Sequence, residues 1–414
     1  MELISLIVLC ATLVIAFVCK LNSGLVSIAV ALILSLVAGI PGKTLISSFN
    51  NSLFLTLLGV MYLFSVAQEN KTLELLAKKI FGLCKGKVRL LPIVLFLTGA
   101  VISAIGPGLI STTALVSVLV VALAEELDIE PIRLVPFAML GAFAGGLSPI
   151  TPSGIVAVDV AAKSGITGVE GTLPWAMAMT CTIYAIILFF VFKWHKAENL
   201  PLKAQADAQA IPNFSFKQII TLAGIVIVAV VTSIFGINVG LASFAVSVIL
   251  VLCKAADESA ALKKVPWSTL VMVTGVGILL SLVTELGGID LLSTALTKLS
   301  TVKTASAIMA LLSGVMSWVS SASGVVMPTL IPTVPDMVAS LPGTDALELV
   351  NSICIGANVA PLSPLSTCGA LMLAAYSSSP RTDAKKRNKM FAQLFTLSAV
   401  GVALSGVLAL IGLY

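Results

Sequence analysis

The sequence predicts an all-α polytopic membrane protein built from two inverted repeats, and three observations predict it. Of 414 residues, 58% are apolar and only 10% are charged, with a mean hydropathy of +1.11; soluble domains carry about 25% charged residues. Apolar runs near the roughly 20 residues needed to cross a bilayer recur from end to end. The two halves also resemble one another at an offset of 215–216 residues. Nineteen acids and 24 bases cannot solvate a globule of this size. A soluble enzyme, a secreted disulfide protein and a disordered chain are therefore excluded, and a net charge of +5, thinly spread, does not suggest a nucleic-acid partner.

Apolar runs bounded by Gly, Pro and charge give ten crossings: 3–19, 24–41, 47–68, 131–165, 173–193, 218–235, 237–253, 267–285, 347–377 and 390–413. The first of these resembles a signal peptide, but it starts Met-Glu without a basic region and lacks a small-residue cleavage site, so it is read as a membrane helix. The stretches 90–125 and 304–341 are apolar but broken midway by Gly-Pro or Ser-Gly, and each is read as a re-entrant hairpin of two half-helices. The segments 70–87 and 286–301 are amphipathic and should lie along the interface. Residues 194–217 form the one substantial polar linker.

Charge orients this map. With the central linker cytoplasmic, all of the 24 basic residues except Lys43, Lys163, Lys298 and Lys303 fall inside, as the positive-inside rule requires. Both termini are then outside the cytoplasmic (inner) membrane. Treating either hairpin as one full crossing would put a basic cluster on the wrong side.

The repeat is carried by specific residues. Gly141-Ala-Phe-Ala-Gly-Gly-Leu-Ser-Pro-Ile-Thr-Pro-Ser-Gly154 aligns with Gly356-Ala-Asn-Val-Ala-Pro-Leu-Ser-Pro-Leu-Ser-Thr-Cys-Gly369. Gly59, Val60, Leu63, Ser65 and Glu69 align with Gly275, Val276, Leu279, Ser281 and Glu285 at an offset larger by one. The hairpin centres Gly106-Pro107-Gly108 and Ala322-Ser323-Gly324 share that second offset. Five crossings per half, an odd number, invert the second half relative to the first. Inverted repeats with interrupted segments at matching positions are the signature of a secondary transporter with a midplane site.

Four breaks build that site: 103–113, 146–154, 320–329 and 360–369. Unwound backbone is tolerated in a membrane only where it is buried or lines a wet cavity. Ser148-Pro149, Thr151-Pro152 and Ser363-Pro364 each place a hydroxyl before a proline, the pattern of an N-cap and first helical position. Half-helices starting there would point free N–H groups and partial positive charge at the cavity. Candidate substrate contacts are Pro107, Gly108, Ser111, Thr112, Thr151, Pro152, Ser153, Ser323, Gly324, Asn358, Ser366 and Thr367. Asn358 stands out as an amide whose repeat partner is Phe143. No Lys or Arg lies in the core of a crossing, so an anion would be held by helix termini and hydroxyls. Asp159 and Asp336 sit nearer segment ends than breaks, and Glu69 and Glu285 occupy matching helix ends. The seven cysteines lack CxxC spacing and the lone histidine, His195, is in the connector, so neither a metal site nor a histidine proton relay is expected. No GxSxG, HExxH, Walker A or GxGxxG motif supports an enzyme or ATP-driven pump.

The run Ser52-Leu-Phe-Leu-Thr-Leu-Leu-Gly-Val-Met-Tyr-Leu-Phe-Ser-Val-Ala-Gln68, then Asn70-Lys-Thr-Leu-Glu74, Ser103-Ala-Ile-Gly-Pro-Gly108 and Ala144-Gly-Gly-Leu-Ser-Pro-Ile-Thr-Pro-Ser-Gly154 resemble the N-terminal region of the malonate/dicarboxylate (MatC-type) carriers. That family lies within the ion transporter superfamily, beside the divalent anion/sodium symporters. The likeness covers about residues 1–155. It implies a small dicarboxylate such as malonate or a C4 acid, an elevator mechanism and a homodimer, with no covalent cofactor. It divides the chain into a first repeat 1–193 (scaffold 1–69, arm 70–87, transport part 88–193), a cytoplasmic linker 194–217, and a second repeat 218–414 (scaffold 218–285, arm 286–301, transport part 302–414). It also implies a coupling cation. For Na+ the candidate positions at the breaks are Ser103, Gly106, Ser148, Ser320 and Ser363. Ser111-Thr112-Thr113 and Met327-Pro328-Thr329 stand where the symporters carry Ser-Asn-Thr, so Na+ and H+ both remain open. The alternatives are a Na+/H+ antiporter or another organic-anion carrier on the same scaffold, and a passive anion channel or partner-dependent subunit.

Overall fold

The computed structural model describes residues 1–81, 88–196, 212–377 and 382–414, and every regular element among them is helical. The end of the first arm (82–87), the middle of the linker (197–211) and residues 378–381 lie outside the described residues. The first half contains α1 (Glu2–Val18), α2 (Ser23–Ala38), α3 (Gly42–Ser47), α4 (Asn51–Glu69), α5 (Thr72–Phe81), α6 (Leu91–Ala104), α7 (Gly108–Glu126), α8 (Val135–Gly145), α9 (Pro152–Lys163) and α10 (Val169–Val191). The second half contains α11 (Phe216–Phe235), α12 (Val239–Leu252), α13 (Glu258–Lys264), α14 (Trp267–Glu285), α15 (Gly288–Leu299), α16 (Ala305–Val319), α17 (Met327–Leu330), α18 (Val334–Ser340), α19 (Ala346–Val359), α20 (Thr367–Ser377) and α21 (Ala384–Leu410).

The two series correspond closely. Adding 216 to the first residues of α2, α3, α4 and α5 (23, 42, 51, 72) gives those of α12, α13, α14 and α15 (239, 258, 267, 288). Adding 215 to those of α9 and α10 (152, 169) gives those of α20 and α21 (367, 384). Among the described residues seven segments are long and apolar enough to cross a membrane: α4, α7, α10, α14, α21 and the runs Ala322–Ser340 and Ala346–Ser377. Shorter apolar helices include α1, α2, α6, α11, α12 and α16.

Three features differ from the sequence reading. The short helices α3 and α13 stand where the reading has segment ends and a loop; neither has enough apolar periodicity to announce itself. Helix α7 has 19 residues, about 28 Å at 1.5 Å per residue, and so is longer than a half-helix, because nothing after Gly108 interrupts it. The linker also begins as a docked turn. Trp194 is 1% exposed, its Nε1 donates to the Arg133 carbonyl at 3.2 Å, and the Arg133 guanidinium lies over its ring. At the linker's far end Ser215 and Gln218 form a capping box that starts α11.

The halves interlock by exchange. Helix α4 packs on α12 of the other half, and its counterpart α14 packs on α2. Each contact is glycine on glycine. A Cβ built on Gly59 would fall 2.1 Å from the Gly240 carbonyl oxygen, and one on Gly275 would fall 2.4 Å from that of Gly24. The backbones touch because neither partner has a side chain, the small-residue packing of membrane helices. Each pair is fastened by an asparagine. Asn22 caps α2 through the Gly24 amide (2.9 Å) and donates to the Ser268 carbonyl (2.8 Å). Asn238, its repeat counterpart, caps α12 through the Gly240 amide (2.9 Å) and donates to Thr56 Oγ1 (2.8 Å). The remaining helices form the rest of the core, with α6 packed on α8, α16 on α19, and α7 crossing to α20.

Several helices end on a left-handed residue. Helices α2, α9, α11, α14 and α21 end with Gly39, Gly165, Gly236, Gly287 and Gly412, which adopt positive φ without steric cost. Helices α1, α4, α7, α10 and α12 end with Lys20, Lys71, Asp128, Lys193 and Lys254 in the same conformation. Lysine there gains from the negative end of the helix dipole.

Candidate functional site

The breaks after α8 and α19 are one structure made twice. The Thr151 amide donates to the Ser148 carbonyl at 2.9 Å, and the Ser366 amide to the Ser363 carbonyl at 3.0 Å. Each closes a β-turn with proline at its second position, where its fixed φ suits the turn. The Thr151 hydroxyl donates toward the carbonyls of Gly146 (2.8 Å) and Ser148 (2.7 Å). The Ser366 hydroxyl does the same with Pro361 (3.0 Å) and Ser363 (2.9 Å). Gly154 and Gly369 follow three residues later, where a Cβ would strike the Ser148 or Ser363 carbonyl oxygen at 2.0 and 2.1 Å. Of the three Ser/Thr-Pro pairs, then, only Thr151-Pro152 opens a helix, with Thr151 Oγ1 accepting from the Gly154 amide. Ser148-Pro149 and Ser363-Pro364 open turns instead, because the chain must reverse before a helix can restart.

The first hairpin turns at Ile105-Gly106-Pro107. Gly106 (φ +137°) and Gly108 (φ +72°) both need glycine's freedom. A Cβ on Gly106 would fall 1.9 Å from the Phe64 ring, and one on Gly108 would be 3.0 Å from Pro152. The tip is thereby seated between α4 and the start of α9. The first amides of any helix lack an intrahelical partner, and among the described residues no side chain caps those of α7. The second hairpin is built differently. Ser320 is extended, Ser321 Oγ accepts from the Gly324 amide at 3.1 Å, and a wide π-turn over Ala322–Val326 leads into α17.

A cavity of about 300 Å³ gathers these pieces. Its deep end holds Gly106, Pro107, Gly108, Ser111 and Thr112 from the first hairpin, Pro152 and Ser153 from α9, and Ser323 from the second hairpin. Thr112 is 1% exposed, and its hydroxyl has no hydrogen-bond partner among the described residues. Phe64 and Ser65 of α4 are buried beside them, and the lining ends at the mouth with exposed Gln68, Lys71 and Lys264 and half-buried Glu74. Those wall residues escaped the sequence reading; only Ser65, matched by Ser281, carried a signal.

Other candidates fall elsewhere. Thr151, Gly324, Asn358, Ser366 and Thr367 do not line this cavity, nor do Ser103, Ser148, Ser320 and Ser363. Asn358 is fully buried, with Nδ2 donating to the Cys354 carbonyl at 2.8 Å and Oδ1 without a partner among the described residues. Ser103 Oγ is likewise buried and has no partner among the described residues. Ser320 Oγ donates to the Met316 carbonyl at 2.6 Å. Asp159 accepts from Asn50 Nδ2 at 2.9 Å and pairs with Lys163 at 3.0 Å. Glu69 pairs with Lys264, and Asp336 faces a separate hollow with Asp290.

The crystal structure of the Alcanivorax borkumensis YdaH transporter, reported to have an unusual topology, has a similar fold, with a TM-score of 0.61 over 89% of this chain and 87% of that one. Identity is 12%, so the likeness is one of fold. No curated protein matches the sequence. Residues 1–146 match the family described as the N-terminus of the dicarboxylate carrier protein MatC. The first 146 residues thus resemble the N-terminal region of that family, and the fold over most of the chain is that of the solved transporter.

Proposed function

We propose that the protein is a secondary active transporter for a small dicarboxylate, malonate or a C4 acid, coupled to Na+ or H+. The observation that carries this reading is the deep end of the cavity. There the uncapped start of α7 and the start of α9 meet, with the hydroxyls of Ser111, Thr112, Ser153 and Ser323 beside them. Two helix N-termini, each with a partial charge of about +0.5, suit an anion. No lysine or arginine is needed at that depth. The one acid on the wall among the described residues, Glu74, is paired with Lys78, which favours an anion carrier over a cation antiporter.

The matched element series supports two inverted repeats moving as an elevator, with α1–α4 and α11–α14 as scaffold and α5 and α15 as arms. The helix ends support the orientation with both termini outside. In that topology every left-handed Lys or Asp cap (Lys20, Lys71, Asp128, Lys193, Lys254) falls at the cytoplasmic face, and Gly39, Gly165, Gly236, Gly287 and Gly412 fall outside. The cavity mouth at Lys71 and Lys264 then opens to the cytoplasm. A homodimer joined through the scaffold, in the cytoplasmic membrane, completes the reading. Uptake of labelled malonate and succinate into proteoliposomes, under imposed Na+ or pH gradients, tests it. Accumulation driven by either gradient is expected. Gradient-driven Na+/H+ exchange without carboxylate uptake would replace this reading with the antiporter.

A further inference from the structure

The residue after the cap of α4 is Lys71, held at φ +59°. Its repeat partner is Gly287, at φ +79°. The backbone at this junction therefore has the same left-handed shape twice. Glycine fills it freely once, and lysine fills it against its steric preference once. A residue that breaks a local rule is a place to look for function. Three other lysines, Lys20, Lys193 and Lys254, also sit left-handed at helix ends, but none of them lines the cavity. Lys71 does.

The charges around the mouth set Lys71 apart. Glu74 is paired with Lys78 at 2.8 Å, and Lys264 with Glu69. Lys71 has no ion-pair partner among the described residues. Its position is fixed from the scaffold side. Asn70 Nδ2 donates to Thr221 Oγ1 at 2.8 Å, and Gln218 Nε2 donates to the Asn70 carbonyl at 3.1 Å. The preceding residue is thus fastened to α11, and Lys71 stays at the rim.

Resting on the dicarboxylate reading, we propose that Lys71 is the anion-collecting residue of this mouth. Its ammonium receives a carboxylate of the incoming dianion before the ligand reaches the starts of α7 and α9. A single charge on a low-dielectric cavity wall raises the local concentration of counter-ions, and salt screens the effect over a Debye length.

The test measures succinate binding to the purified full chain by calorimetry, at low (about 0.02 M) and high (about 0.2 M) salt. At low salt Lys71→Gln should weaken binding about three- to tenfold, with the gap narrowing at high salt. Lys71→Arg should bind as wild type, and Lys20→Gln should leave binding unchanged. Lys71→Gly separates charge from folding: it removes the left-handed strain, so it should melt no lower than wild type yet bind as weakly as Lys71→Gln. Wild-type affinity in Lys71→Gln at low salt, or an equal loss in Lys20→Gln, would overturn the role of Lys71 alone. Failure of the wild-type protein to bind any dicarboxylate would overturn the carrier reading and this proposal with it.

Discussion

Helix α4 faces two ways, and substituting Gly59 should expose the link. One face carries Phe64, Ser65 and Gln68 into the cavity; the other lies against α12 at Gly240. A Cβ at residue 59 would sit 2.1 Å from the Gly240 carbonyl oxygen, where ordinary contact begins at 3.4 Å. The helices would have to part by roughly the difference between those two distances. Both atoms belong to rigid backbone, so no side chain can yield. A gap of that size forfeits a large share of the dispersion contact along the seam. Overpacking costs about 1–3 kcal/mol, here at the upper end, and alanine's helix propensity returns up to about 1 kcal/mol. The net expectation for Gly59→Ala is a loss of about 2 kcal/mol, with weaker malonate binding in whatever protein stays folded. Gly275→Ala, on the matching seam (2.4 Å from the Gly24 oxygen), should behave alike. Gly277→Ala is the control, since nothing lies within 4 Å of its Cβ, and it should be neutral or stabilising. Thermal unfolding of the three variants in detergent measures this. If Gly59→Ala and Gly277→Ala shift the melting temperature in the same direction and by the same amount, the glycine seam does not hold the halves together.

Thr112→Val should weaken malonate binding about tenfold, the loss of one hydrogen bond to a charged ligand, without lowering thermal stability, because the hydroxyl is buried and unpartnered; unchanged affinity in calorimetry would remove Thr112 from the site. Thr151→Ala and Ser366→Ala should each cost about 1–2 kcal/mol of stability by releasing the turn, with Thr151→Ser close to wild type. A larger loss of malonate affinity is expected from Thr151→Ala, since that turn seats α9 at the cavity; equal affinities would contradict the placement. Asp159→Asn should transport nearly as wild type, because it forgoes only a partly exposed pair with Lys163, worth at most about 1 kcal/mol. Loss of transport would mark Asp159 as a coupling group.

What could be read in the sequence was whatever the backbone constrains tightly. Ser148-Pro149 and Ser363-Pro364 with their following glycines announce the breaks, because only small residues fit where a carbonyl comes within 2.1 Å of the Cβ position. Gly59 and Gly275 revealed the offset for the same reason. The role of each hydroxyl was less legible. Thr151 and Ser366 look like free ligands among the polar residues of the breaks, but their protons go to carbonyls three to five residues back. The cavity wall on α4 was hidden, because Phe64 and Gln68 sit in an ordinary apolar helix and hydropathy does not say which face meets a hairpin tip. The two halves also contribute unequally. Asn358 and Thr367 hold positions equivalent to Phe143 and Pro152, yet only Pro152 reaches the cavity, an asymmetry that the matched sequences do not reveal.

The most direct test of the central claim is thermal unfolding of the purified protein in a ligand grid. Malonate, succinate, citrate, gluconate and chloride are set against Na+ or choline at fixed ionic strength and two pH values. A ligand that binds only the folded state raises its apparent stability by mass action. The account predicts a rise with a small dicarboxylate, absent with chloride, that grows either with Na+ or with falling pH and so names the coupling ion. If no carboxylate shifts the curve while Na+ or pH alone does, the anion site at the starts of α7 and α9 is contradicted.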